Sequence, residues 1–187
     1  MQSSKDYLVE YLKTYNYLIV DLVAINNLVK IKSLFQKTSK QGGKIIFAGN
    51  GGSAAMASHV AVDLTKNASI RAVTFNEYDL ITTLANDYGY ENWISKAIEL
   101  YHNPKDTIVL ISASGQSLNV INAAIKSKEL GLPIITFSGM SPQNPLRNQG
   151  DINLWIDSKI YNIVEMTHHI WLLAIVDMII NENEFTK

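Results

Sequence analysis

Apolar side chains recur at 7, 8, 11, 12, 15, 18, 19 and 22. That is the spacing of one helical face, and it predicts a helix over Tyr7–Leu28 with a partly aromatic stripe at Tyr7, Tyr11 and Tyr15. Such a stripe suits a core-facing or oligomer-facing helix. A second helix is predicted over Lys30–Lys40, stopped by Gly42 and Gly43. The period then changes. Lys44–Ala48, Arg71–Phe75, Thr107–Ile111, Pro133–Phe137 and Ile152–Ile156 are short, nearly continuous apolar runs. Runs of this kind suit strands buried on both faces of a parallel sheet. Helical patterns separate them at Ser53–Lys66, Tyr78–Leu100 with a break near Gly89, Ser117–Leu130 and Ile160–Asn183. Ser141–Gly150, rich in Pro, Asn and Gln, reads as a loop with one helical turn. The alternation predicts a three-layer α/β domain around a parallel sheet.

Composition narrows the picture. The 187 residues are 47% hydrophobic and 18% charged, enough for a full core and against long disorder. Sixteen basic and 17 acidic residues give a formal charge of −1, so no global basic excess points to nucleic acid or an anionic membrane. The absence of cysteine excludes disulfides, thiolate metal sites and a cysteine nucleophile, and fits a reducing cytoplasm. The N-terminus lacks an apolar segment flanked by positive charge, so no signal peptide is expected. The longest apolar run, Ile170–Ile180, is interrupted by Asp177 and is too short for a membrane span of roughly 20 residues, so it reads as a buried helix.

In open parallel sheets, ligands bind beyond the carboxyl ends of the strands. Two junctions there are polar. Gly49-Asn50-Gly51-Gly52-Ser53 follows the first strand and opens a helix. Glycines allow close approach of a ligand, and free amides at a helix start favour an anion. The plainer alternative is a tight turn with a serine cap. The loop is neither the Walker sequence nor the dinucleotide fingerprint, so no nucleotide cofactor is expected. Ser112-Ala113-Ser114-Gly115-Gln116-Ser117 follows the third strand. It offers three hydroxyls with no Lys or Arg, a cradle that would hold a phosphate monoester with neutral donors and a helix dipole. One of the serines, Ser117, also suits a plain cap.

Together these loops resemble the sugar isomerase (SIS) family. Within it they are closest to the phosphoheptose isomerase group, whose stretches read NGGSA and STSGNS. Ala85-Asn86-Asp87-Tyr88-Gly89 is similar to a third stretch, GNDYG, and the likeness runs through nearly the whole chain. The resemblance implies one SIS domain over 1–187, with an N-terminal helical segment at 1–41 and an α/β core at 42–187. It implies a three-layer αβα sandwich with a five-stranded parallel sheet, N-terminal helices at an oligomer interface, and a homotetramer with its site between subunits. It further implies isomerisation of sedoheptulose 7-phosphate to D-glycero-D-manno-heptose 7-phosphate, for surface polysaccharide. By position, Asn50, Gly51, Gly52, Ser53, Ser112, Ala113, Ser114 and Ser117 take the phosphate and sugar contacts. Ala113 replaces the group's usual threonine.

Aldose–ketose isomerisation needs a base, an acid and a group that polarises the carbonyl. His59 and Asp63, four apart on one helix, share a face. They read as a metal-binding or acid–base pair, or as an ordinary polar pair. The resemblance makes the carboxylate at 63 the base candidate and both residues zinc ligands. The group has glutamate there, and Asp63 is about 1.5 Å shorter. In the last helix Glu165, His168 and His169 lie within one turn of each other. Aligning Glu165 with the group's glutamine places Leu173 where its catalytic histidine belongs, and leucine transfers no proton. His169, one turn earlier, is expected to take that role through pairing with Glu165. His168 is expected to pack with a satisfied hydrogen bond. His59, Asp63, Glu165 and His169 would then make a four-ligand N/O zinc site, one ion per subunit. Asp87 is either a substrate contact or part of an Asx turn. Trp155 and Trp171 read as core or interface.

Leu173 keeps other functions open. One is a non-catalytic SIS protein that binds sugar phosphates or a partner protein, such as a replication initiator. Another is an isomerase or epimerase of a different sugar phosphate. No appended DNA-binding domain is evident, so a transcription regulator is not expected.

Overall fold

The computed structural model describes residues 3–185; Met1, Gln2, Thr186 and Lys187 of the span read as one domain lie outside them. Two helices, α1 (Ser4–Ile19) and α2 (Leu22–Lys40), precede β1 (Ile45–Gly49) and α3 (Gly51–Lys66). Then come β2 (Ala72–Thr74), α4 (Tyr78–Tyr88), α5 (Trp93–Tyr101), β3 (Thr107–Ser112) and α6 (Leu118–Glu129). The chain ends with β4 (Ile134–Gly139), a 3-10 turn at Arg147–Gln149, β5 (Ile152–Ile156) and α7 (Tyr161–Phe185). All strand pairs are parallel, in the order β2-β1-β3-β4-β5.

The short apolar runs become strands because both faces of the sheet are covered. Side chains alternate across a strand. Ile45, Phe47, Val109, Ile111, Ile135 and Phe137 pack against α2, α3 and α7. Ile46, Ala48, Ile108, Leu110 and Ile134 pack against α4, α5 and α6. The edge strand β2 is shorter than its apolar run, since only Ala72–Thr74 pair with β1. The apolar run of α7 packs into the first of these cores through Trp171, Leu172, Ile175, Val176 and Ile179.

The N-terminal boundary differs from the periodicity. One helix was expected through Leu28, but the break falls at Val20–Asp21. Asp21 caps the new helix, its Oδ1 accepting the Ala24 amide at 2.7 Å. The Trp171 indole donates to the carbonyl of Ile19 at 3.0 Å, satisfying the end of α1. These two polar contacts outweigh a continuous apolar stripe. The predicted break near Gly89 is present, between α4 and α5. Helix α1 buries none of its residues, and Tyr7, Leu8, Leu12 and Tyr17 are exposed.

His168 is a core residue, fully buried between Phe137 and Trp171. Its Nε2 donates to the Ser138 carbonyl at 3.1 Å, while Nδ1 has no partner. The expected hydrogen bond is therefore made at only one nitrogen. Burial pushes its pKa down from 6.5 to about 4, against the upward pull of the Ser138 bond. The unfolded chain protonates this imidazole near 6.5, so unfolded molecules take up the extra proton first. Stability contributed by the neutral ring is complete above 6.5 and declines as pH falls toward about 4. Urea unfolding should show the wild type losing about 3 kcal/mol relative to His168→Gln across that window. Parallel curves for the two proteins would refute it.

Candidate active site

The strand order places a crevice between β1 and β3. There the winding of the chain reverses, and both strands run straight into polar loops. The crevice holds a cavity of about 120 Å³ walled by Asn50 and Ser53 from the first loop and Ile111–Ser114 and Ser117 from the second, with Tyr161 and Glu165 of α7 closing it. A larger concavity, about 530 Å³, lies along β2 between Lys44, Phe75 and Tyr101. Neither polar loop contributes to its wall, so size alone does not mark the site.

Both helices that open at the crevice start without a side-chain cap. Asn50 occupies the cap position of α3, and Ser117 that of α6, yet neither side chain bonds its helix. The Ser117 hydroxyl instead meets Ser112 Oγ at 3.1 Å, so the capping role open to Ser117 in sequence is not the one it takes. Ser53, four-square inside α3, is buried and likewise no cap. Two positive helix ends thus converge on one hydroxyl-lined hollow, the arrangement that receives phosphate groups. Gly115, at φ +66°, lets its loop fold against the buried Asn144; a Cβ there would collide with the Asn144 amide. Asn144 in turn bonds Ser138 Oγ at 3.1 Å, so the Pro- and Asn-rich loop braces the serine loop from behind.

Sequence reasoning missed the bond between the two loops. Asn50 donates to Asn119 Oδ1 at 3.0 Å and accepts from Asn119 Nδ2 at 2.8 Å. The Tyr90 hydroxyl donates to the same Asn50 oxygen at 3.2 Å. An amide oxygen has two lone pairs and its nitrogen two protons. Asn50 Oδ1 is therefore saturated, and one N–H remains for a ligand. Asn119 is buried inside the first turn of α6. A polar residue on the face of α6 that buries Val120, Ala123 and Ala124 was the available signal. Tyr90 and Tyr161 had none.

Along α3 and α7 the acid–base candidates separate. His59 Nε2 lies 3.3 Å from Asp63 Oδ2, and His59 Nδ1 lies 3.0 Å from His169 Nε2. The carboxylate only accepts, so it places the His59 proton on Nε2. His59 Nδ1 then accepts from His169, leaving the lone pair of His169 at Nδ1. Desolvation lowers the His169 pKa, and the neighbouring His59 lowers it further. His169 thus pairs with His59, contrary to the expected pairing with Glu165. Glu165 turns to the first loop, where its Oε2 would stand 2.5 Å from any Cβ at Gly52. Asp63 also accepts from Asn67 at 3.2 Å and does not line the cavity. Asp87 is exposed at the end of α4, accepts only the Asn86 amide at 2.9 Å, and lies outside the cavity wall. Leu173 packs on the core.

The four expected zinc donors do not fit one ion as placed. His59 directs its two nitrogens at Asp63 and His169 in opposite senses, and Glu165 faces Gly52. Among the described residues, no three or more His, Asp or Glu side chains gather as a metal site.

A family model of the SIS domain matches residues 10–139, which include both loops. The chain belongs to the SIS domain family. This SIS domain is 37% identical over 152 residues to the "Probable phosphoheptose isomerase" of Thermoplasma acidophilum, covering 76% of this chain and 82% of that one. It is 32% identical over 161 residues to the phosphoheptose isomerase of Aliarcobacter butzleri, covering 83% and 85%. The solved phosphoheptose isomerase of Francisella tularensis superposes with a TM-score of 0.85 at 22% identity, over 97% of this chain and all of that one. The five-stranded parallel sheet and its helical layers are thus those of the family.

Removing Asn119 should free both loops and leave the Asn50 amide short of partners. Calorimetric titration with inorganic phosphate should show Asn119→Ala binding about tenfold more weakly, the equivalent of about 1.4 kcal/mol. Tyr90→Phe, which releases one lone pair, should lose about threefold. Unchanged affinity in Asn119→Ala would remove Asn119 from the site.

Proposed function

We propose that this chain is an aldose–ketose isomerase that converts sedoheptulose 7-phosphate to D-glycero-D-manno-heptose 7-phosphate. The observation that carries the reading is the convergence of two uncapped helix starts and three serine-loop hydroxyls on one cavity, with Glu165 on its wall. The phosphoheptose isomerase relatives supply the substrate class. The cavity is sized for a phosphate, leaving the sugar to run along α3 and α7 toward His169.

The chemistry is a proton shift through an enediol, with no net oxidation. The phosphate sits on the amides of α3 and α6 and on Ser112, Ser114 and Ser117, while the free N–H of Asn50 holds a ligand oxygen. Ala113 lines the cavity without a hydroxyl, so its contribution is backbone and shape. His169, with its lone pair at Nδ1, passes a proton between the two oxygens at the reacting end of the sugar. His59 and Asp63 fix its tautomer from behind. No step is routed through zinc, because the donors do not converge.

The exposed apolar and aromatic side chains of α1, with Met166 and Ile170 of α7, suit burial against further copies, and we assign a homotetramer. Cytoplasmic residence and supply of heptose to lipopolysaccharide or capsule follow from the same reading. A second reading has one observation in its favour. Leu173, partly buried against the core, stands where the group's histidine belongs, which suits a sugar-phosphate-binding protein without turnover.

Purified protein incubated with sedoheptulose 7-phosphate in deuterated water and followed by NMR separates the two. Isomerisation predicts the aldose with deuterium at C2, and His169→Ala should be slower by about 100-fold. Binding without conversion or deuterium uptake would favour the second reading.

A further inference from the structure

We propose that the chain carries a second ligand site, a cavity at the edge strand β5 that takes a free amino acid with an apolar side chain. The proposal stands apart from the isomerase reading, since neither polar loop contributes to this cavity's wall.

The cavity, about 290 Å³, lies between the break that separates α1 from α2 and the end of β5. Ligand pockets run from about 300 Å³ upward, so this one suits a small molecule. Its inner wall is apolar: Ala24, Leu154, Ile156 and Trp171 line it and are buried. Charged groups of both signs line the same space. Arg147 is held in place there. Its guanidinium lies over the Trp155 ring, 4.9 Å from the centroid. Its Nη1 donates to the Pro142 carbonyl at 3.0 Å, and its backbone amide donates to Asn144 Oδ1 at 2.9 Å. Most of the donors of its fork remain to grip a carboxylate, and a guanidinium already fixed loses little freedom in doing so. The indole N–H of Trp155, on the same wall, is buried and has no acceptor among the described residues.

The acidic groups complete the pattern. Asp157 lines the cavity and makes no hydrogen bond or ion pair among the described residues. Asp21 spends one oxygen on the cap of α2. No ion pair joins Arg147 to either carboxylate. Opposite charges therefore share one small cavity without neutralising each other, above an apolar wall. A plain anion would use Arg147 and leave the carboxylates idle, and a plain amine would do the reverse. A sugar would leave the apolar wall unused. A free amino acid such as leucine sets its carboxylate on Arg147, its ammonium on Asp157 and its side chain against Ile156 and Trp171, where apolar burial adds to the two charged contacts.

Calorimetric titration of the full chain with L-leucine tests the site. Glycine, isocaproate and isoamylamine serve as probes that lack the side chain, the ammonium and the carboxylate in turn. L-Leucine should bind saturably, and each partial probe should bind at least about tenfold more weakly. Arg147→Gln should weaken leucine binding by about 30-fold and Asp157→Asn by about tenfold, while both keep their affinity for inorganic phosphate within about twofold of wild type. Absence of saturable leucine binding would overturn the proposal. So would isocaproate or isoamylamine binding as tightly as leucine, which leaves one charge without a role, or leucine binding unchanged in Arg147→Gln. Sedimentation reads the competing occupant: an Arg147→Gln protein of lower oligomer mass than wild type, together with no leucine binding, would assign the cavity to a contact between copies and overturn the proposal as well.

Discussion

The reciprocal amide pair between Asn50 and Asn119 is the contact on which the site depends. Each loop leaves a different strand, and parallel strands supply no direct connection between their ends. Without a cross-link, the amides of α3 and the hydroxyls of the serine loop would vary in separation, and a small anion needs both at once. Two hydrogen bonds between the side-chain amides, at 3.0 and 2.8 Å, make the loops one body. They also decide what Asn50 offers, because Asn119 and Tyr90 together occupy its oxygen and leave a donor. A buried amide such as that of Asn119 is costly unless satisfied, so its presence beneath an open crevice marks a place where fixed geometry matters.

Around that fixed point the chemistry is divided between two helices. Helix α3 contributes amides at its start and His59 with Asp63 further along. Helix α7 contributes Glu165 beside the loops and His169 beside His59. The orphaned side of His168 and the packing of Leu173 against the core show that α7 spends the rest of this stretch on packing. Polar groups lie on the α3-facing side of α7, one turn apart, and hydrophobic groups hold that side in place. Because the histidine pair and the carboxylate sit on packed helices, their spacing is set by the core.

Much of the architecture was legible in sequence. Runs such as Lys44–Ala48 and Thr107–Ile111 are apolar on both faces, and only a sheet covered on both sides requires that. The Gly49–Ser53 and Ser112–Ser117 loops announced themselves because each follows a strand and opens a helix, with residues that suit close approach or donate hydroxyls. The same reasoning placed the helix break about two turns too late, since the competing signals, the Asp21 cap and the Trp171 bond to Ile19, are a local polar contact and a contact across 152 positions.

What the sequence determined by itself was which residues lie at strand ends and which share a helical face, because those follow from periods of two and 3.6. It therefore brought Glu165 and His169 onto one side of α7, and His59 and Asp63 onto one side of α3. It did not decide which of them meet. Four residues sharing two helix faces allow several pairings, and periodicity is silent on how one helix is rotated against another. The packing of α3 on α7 made that choice, joining His169 to His59 and turning Glu165 to the glycine loop. The Asn50–Asn119 bond belongs to the same class: its partners are 69 positions apart, and only the adjacency of β1 and β3 brings them within hydrogen-bonding distance.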